Sequence, residues 1–155
     1  MKNYIELGLE KRLISFNTDK SRITYVHQKK ERNYTNPEEI VQAETFLRLL
    51  LDYNYPVNRI KQFVSVTMGS EVKEADIVVY KDDACTIPYI LVECKKQEVS
   101  EAEYQQAISQ AYSYAYAMAG ELKYVWVTSG IKSDYFEVDQ SSNTRNQLPD
   151  IPQFG

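Results

Sequence analysis

The spacing of apolar and polar positions divides the chain into a front part of short patches, two helical stretches, and a block of continuous apolar segments between the helices. From residue 1 to about 35, Ile5, Leu7 and Leu9, then Leu13, Ile14 and Phe16, then Ile23 and Tyr25 recur at a period of two, which predicts short strands. The cluster Lys29-Lys30-Glu31-Arg32 reads as a solvated loop. A sharp boundary follows at Asn36-Pro37-Glu38-Glu39, where a capping Asn, a Pro in the first helical position and an acidic first turn favour helix initiation. That helix is predicted over 37–51, stopping before Asp52-Tyr53-Asn54-Tyr55-Pro56. Extended segments are predicted over 61–68, 75–80 and 89–95, parted by Gly69-Ser70 and by Lys81-Asp82-Asp83-Ala84. Ser100-Glu101-Ala102-Glu103 is a capping box that opens a second helix, ending at Gly120. A buried strand over 123–128 and an edge strand over 135–138 complete the series.

A strand, a helix and another strand in succession form a crossover, which most simply lays the two strands parallel in one sheet with a right-handed connection. The predicted class is α/β, a mixed central sheet flanked by helices, with the order helix, three strands, helix, strand. From Gln140 onward the chain turns polar and then carries Pro149 and Pro152, which is linker chemistry. The expected organisation is one domain over 1–139, with 1–35 as an N-terminal extension, and a linker over 140–155.

Composition agrees with a single globular unit: 155 residues, 43% hydrophobic and 26% charged. No apolar run reaches the roughly 20 residues of a membrane span, and none follows a basic start as a signal peptide does. Two cysteines, Cys85 and Cys94, make no disulfide framework, and one histidine makes no zinc site. These features predict a soluble, unexported chain in a reducing cytoplasm. The net charge of −4 argues against wrapping nucleic acid by bulk electrostatics, so any DNA contact must be local or shared with another domain or subunit.

Asp76 opens the second extended segment and Glu93 closes the third. If the two form a hairpin with 76 opposite 93, then 80 stands opposite 89, residues 81–88 form the loop, and both carboxylates converge on one face. Lys95, two residues past Glu93, shares that face, while Cys94 points to the other. Two carboxylates with open coordination positions suit Mg²⁺, which keeps several waters, and a nearby ammonium can hold a water or stabilise a charged transition state at phosphorus. The same Glu-x-Lys spacing also describes a solvated surface pair. On the first helix, with Ile40 as origin and about 100° per residue, Glu44 falls near 40°, among Ala43, Leu47, Leu50 and Leu51. It is either a third carboxylate near the metal or a rim residue paired with Arg48. Gln110 and Tyr114, four residues apart on one face of the second helix, either face the site or DNA, or in the case of Tyr114 simply edge the core.

This ordered set resembles the PD-(D/E)xK nuclease superfamily, whose restriction-endonuclease-like core runs α-β-β-β-α-β. More narrowly, Ala75-Asp76-Ile77-Val78-Val79-Tyr80, Leu91-Val92-Glu93-Cys94-Lys95-Lys96 and the Pro37-Glu38-Glu39 helix resemble the N-terminal nuclease domain of the R subunit of type I restriction enzymes, over about residues 22–130. Gln110-Ala111-Tyr112-Ser113-Tyr114 is similar to that family's additional Gln-x-x-x-Tyr motif, and Glu44 to its acid on the first helix. Ala75 stands where relatives commonly have Pro, and Glu74 where they are often basic.

The resemblance implies a Mg²⁺-dependent DNA endonuclease domain, with Mn²⁺ able to substitute. Asp76, Glu93 and the main-chain carbonyl of Cys94 would bind the metal, Lys95 would be catalytic, and Gln110 and Tyr114 would support the site or the DNA. It further implies double-stranded DNA and the modification and specificity subunits as partners. ATP would be used only by a downstream motor, since this segment has no G-x-x-x-x-G-K-[ST] loop. The alternatives are a stand-alone nuclease of the same fold in repair or defence, and a catalytically inactive DNA-binding or docking module.

Overall fold

In a computed structural model that describes residues 2–118 and 122–155, the elements run α1 (Tyr4–Glu10), β1 (Ile14–Phe16), β2 (Arg22–Tyr25), β3 (Lys30–Asn33), α2 (Pro37–Leu51), β4 (Ile60–Met68), β5 (Glu71–Tyr80), β6 (Pro88–Cys94), α3 (Glu101–Ala117), β7 (Tyr124–Thr128), β8 (Ser133–Asp139) and β9 (Thr144–Leu148). Strands β1, β2 and β3 make a small antiparallel sheet, and β4 to β9 form a six-stranded sheet in sequence order, in which only β6 and β7 pair in parallel. The segment α2-β4-β5-β6-α3-β7 has the α-β-β-β-α-β order expected.

Both long helices start where their caps dictate. The Asn36 side chain accepts the Glu38 amide at 3.0 Å with Pro37 behind it, and the Ser100 hydroxyl accepts the Glu103 amide at 3.2 Å. Helix α3 is capped at Met118; the expected stop at Gly120 lies outside the described residues. Replacing Asn36 by Ala removes the side-chain acceptor of the Glu38 amide and is expected to cost about 1 kcal/mol in urea unfolding, with Asn36→Asp nearly neutral.

The continuous apolar runs are covered on both faces, as central strands require. Ile77, Val79, Ile90, Val92 and Trp126 pack on the α2 side with Phe46 and Leu47, where Ile14, Ile23 and Tyr25 of the small sheet join them. Val78, Leu91, Val125 and Val127 pack on the α3 side with Tyr104, Ala107 and Ala111. The register pairs Ile77 with Val92, Val78 with Leu91 and Val79 with Ile90, as the expected hairpin requires. A shift at Tyr80 then sets it opposite Pro88 instead of Tyr89, so the loop is one residue shorter than expected.

Three expectations are corrected. Ile5, Leu7 and Leu9 lie on a helix, because Asn3 caps α1 by accepting the Glu6 amide and Gly8 lets the helix press on α2. A β-carbon at Gly8 would fall 2.7 Å from Leu47 Cδ2, so Gly8→Ala is expected to destabilise the fold by about 1–3 kcal/mol through overpacking, again read by urea unfolding. The cluster around Lys30 is strand β3 rather than a loop. The segment 140–155 is not a free linker. Strand β9 pairs along β8 as the sheet edge, and the tail then docks on the body: Ile151 is buried, and the Tyr53 and Tyr55 hydroxyls donate to Asp150 Oδ1 at 2.5 Å and to the Pro152 carbonyl at 2.7 Å. An edge strand with both side-chain faces wet carries no apolar pattern, so Thr144 to Leu148 reads as loop in one dimension.

Candidate active site

Asp76 and Glu93 meet where the sheet gives up its regular ladder. The β4–β5 pairing passes from Gln62↔Ile77 to Val64↔Ala75, omitting Phe63 and Asp76 between them. Phe63 takes φ 57°, a left-handed conformation that is costly for an aromatic residue. On the other side the β5–β6 pairing ends at Ile77↔Val92. Side chains take over the released backbone groups. Gln42 of α2 donates from Nε2 to the Asp76 carbonyl at 3.1 Å, and the Asp76 amide donates to Glu93 Oε1 at 3.3 Å. The Cys94 amide donates to Asp76 Oδ2 at 2.7 Å. Each carboxylate is therefore fastened to the backbone of the other's strand, which fixes both without long flexible contacts.

The electrostatics of the pair follow from that closeness. Burial pushes the Asp76 carboxyl up to about 6, against the opposing pull of the Cys94 amide. Burial also raises Glu93 well above the usual carboxylate range, and the Asp76 charge adds to it. Lys95 pulls both down, but it is the last of their main influences. Two buried acids with too little positive charge beside them hold a proton between them, and a divalent cation can take its place. Among the described residues no three His, Cys, Asp or Glu side chains converge so as to hold a metal; the pair brings two carboxylates together.

The Cys94 thiol is fully buried on the α2 side beside Thr45, where burial and then the Asp76 charge push it well above its usual value. The Lys95 amide donates to the Thr128 carbonyl of β7 at 2.8 Å, and in a trans peptide the Cys94 carbonyl points the opposite way, towards β5 and Asp76. Lys95 is partly exposed, with Nζ 3.8 Å from Glu38 Oε2, and borders a cleft of about 340 Å³ with Glu103, Gln106 and Gln110 of α3. Tyr114 is buried, and its phenol is held above its usual value first by burial and then by the Glu93 and Asp76 charges; the Gln110 side chain hydrogen-bonds it. Asp76, Glu93, Lys95, Gln110 and Tyr114 are thus one neighbourhood.

Glu44 is not in that neighbourhood, which corrects the expectation for it. The buried face of α2 is built on Glu39, Val41, Gln42, Ala43, Thr45, Phe46, Leu47 and Leu49, whereas Ile40 is 44% exposed and Glu44 is exposed with it. Taking Ile40 as the centre of the stripe turned the helix to the wrong face. Arg48 approaches Asp52 at 3.7 Å, one turn on. The acids of α2 that do face the site are Glu38 and Glu39, which with Gln42, Phe63, Arg32 and Asp76 line a cleft of about 390 Å³. Their place in the first turn also suits helix initiation, which hides this second position in the sequence. Gln42, with Glu39 and Thr45, is a polar residue on that buried face.

Residues 37–152 match the family described as Type I restriction enzyme R protein N terminus (HSDR_N). The chain belongs to that family. Its architecture is mixed α/β, a six-stranded mixed sheet flanked by helices. Among solved structures, a chain described as an HsdR-subunit fragment of a type I restriction enzyme from Vibrio vulnificus YJ016 aligns with a TM-score of 0.49 and 22% identity, over 72% of this chain and 23% of that one. The chain therefore spans about a quarter of that structure's length. No curated protein gives a significant match. The family match takes in the whole six-stranded sheet with α2 and α3, and starts after α1 and the β1–β3 sheet. No described helix of this R-protein N terminus is long and apolar enough to cross a membrane.

Proposed function

We propose that the chain is the Mg²⁺-dependent DNA endonuclease domain of a type I restriction enzyme R subunit, hydrolysing phosphodiester bonds in restriction of foreign DNA. The observation that carries this reading is the clamped Asp76–Glu93 pair, Glu93 buried and Asp76 half-buried, with Lys95 on its rim. Asp76, Glu93 and the Cys94 carbonyl would hold the metal, with water and a DNA phosphate completing its oxygen shell. Bound there, the cation supplies Lewis acidity at phosphorus. The Lys95 ammonium, a movable point charge, offsets negative charge developing on the phosphoryl oxygens or orients the attacking water. Tyr114, hydrogen-bonded by Gln110, keeps the α3 wall of the site in place behind the carboxylates. The partners are double-stranded DNA and the modification and specificity subunits, with ATP used only by parts of the enzyme other than this chain. Mn²⁺ is expected to support the reaction in place of Mg²⁺. In the assembled enzyme, cutting should stop on chelation and return on adding either ion; cutting that persists in a chelator contradicts the proposal.

A further inference from the structure

Beyond the cleft that holds Asp76, a second one of about 320 Å³ opens where the β2–β3 turn meets the start of β4. It is lined by His27, Gln28, Lys30, Asn58 and Lys61, beside Ile60 and Cys85, and no carboxylate is among its walls. In a chain of net charge −4 that absence is informative, because the Asp76 cleft next to it carries Glu31, Glu38, Glu39 and Glu74 against Arg22 and Arg32. Resting on the nuclease reading, we infer that this second cleft binds a backbone phosphate of the DNA strand, with Lys30 and Lys61 as its cations.

Four observations support it. Lys30 Nζ is held by donating to the Gln62 carbonyl at 2.6 Å, one residue before the distorted Phe63, so its ammonium is positioned rather than free. Lys30 and Arg32 both lie over the Phe63 ring, at 5.8 Å and 3.7 Å, which ties the cations of β3 to the break in β4 that releases Asp76. The Gln28 side chain accepts the Gln62 amide at 2.6 Å, while its own Nε2 is buried with no partner, a donor that an anion's oxygen would satisfy. Finally, burial and the charges of Arg32 and Lys61 push the Lys30 ammonium below its usual value against the opposing Glu74, which is the signature of cations gathered without a sufficient counter-charge. Of the other acids, Asp82 and Asp83 act on Cys85, and Asp83 is engaged by Arg59 at 2.8 Å.

Position agrees with the chemistry. Lys61 is paired with Val78, two residues along β5 from Asp76, so at about 3.4 Å per residue the cleft sits roughly 7 Å along the strand from the carboxylates. A phosphate held there places the strand beside Asp76 and Glu93 without adding to their chemistry. Lys30 and Lys61 are positioning residues.

The test is binding of a fluorescein-labelled 30-base-pair duplex to this chain in Ca²⁺, followed by anisotropy across a salt series. Lys30→Gln/Lys61→Gln is expected to lower affinity at least about 10-fold and to flatten the dependence of log K on log salt by about 1–2 units. Lys61→Gln alone, at an exposed position, should give part of that loss with unchanged melting. The control Lys11→Gln/Lys20→Gln removes the same charge from exposed sites that do not line the cleft and should change binding little. Equal losses in both doubles, or no DNA binding by the wild-type chain, overturn the inference. So does binding of inorganic pyrophosphate that depends on the two lysines while DNA binding does not. Failure of the nuclease reading looks different: there, cutting survives loss of Asp76 and Glu93, whatever the lysines do.

Discussion

Lys95→Ala is expected to lower DNA cleavage by the assembled enzyme at least about 1,000-fold while leaving the domain folded and its metal affinity within a few-fold of wild type. The side chain is about one-third exposed and its ion pair to Glu38 spans 3.8 Å. Such a pair contributes at most about 1 kcal/mol to stability, so the loss should be confined to the reaction. Lys95→Arg should not restore full activity, since a planar guanidinium does not occupy the place of a compact ammonium. Single-turnover cutting of a plasmid substrate, with melting curves of the isolated chain beside it, decides the matter; near-normal cutting by Lys95→Ala would remove the residue from the mechanism.

The second large effect is one of stability. Asp76 and Glu93 both have native pKa values raised above those of the unfolded chain, so between pH 4 and 6 the native state holds more protons than the unfolded one. Stability from this pair is therefore present at low pH and lost as pH rises through the native values. For Asp76, moving from 3.8 to about 6, the loss is on the order of 3 kcal/mol, and Glu93 adds to it in the same direction. The double isostere Asp76→Asn/Glu93→Gln cannot ionise. In the absence of metal its stability relative to wild type should rise from pH 4 to pH 7 by at least about that amount. Millimolar Mg²⁺ should then stabilise wild type and leave the double variant unchanged. Urea unfolding at a series of pH values reads both; parallel curves for the two proteins would mean that the carboxylates are not a coupled buried pair.

How much of this could be read in one dimension depended on whether local chemistry or burial decided the element. The start of α2 follows from Asn36, Pro37 and two glutamates acting within one turn, and its end follows from Pro56, so its limits are local facts. The Asp76–Glu93 alignment was legible because Ile77-Val78-Val79 and Ile90-Leu91-Val92 must be buried on both faces, which leaves little freedom of register. Strands β3 and β9 were not legible, since both are edge strands of polar residues and what holds them is a neighbour's backbone. Helix α1 was masked by leucines spaced as in a strand, and the Asn3 cap together with the contact of Gly8 with Leu47 explains it. On α2 nearly every residue from Glu39 to Leu49 is covered from one side or another, so apolar residues alone do not mark the face towards the carboxylates. Gln42 does, through a hydrogen bond to a carbonyl that the distorted β4 has released. No pattern of residue types announces the left-handed Phe63 that causes it.

The most direct test of the metal site is calorimetric titration of Mn²⁺ into the chain with a short DNA duplex present, for wild type, Asp76→Asn and Glu93→Gln. Binding in wild type that disappears in both single variants is the expected result, because each carboxylate supplies a ligand that the other cannot replace. Binding that survives in both variants would place the cation elsewhere, and a folded wild-type chain that binds none with DNA present would contradict the proposed metal site.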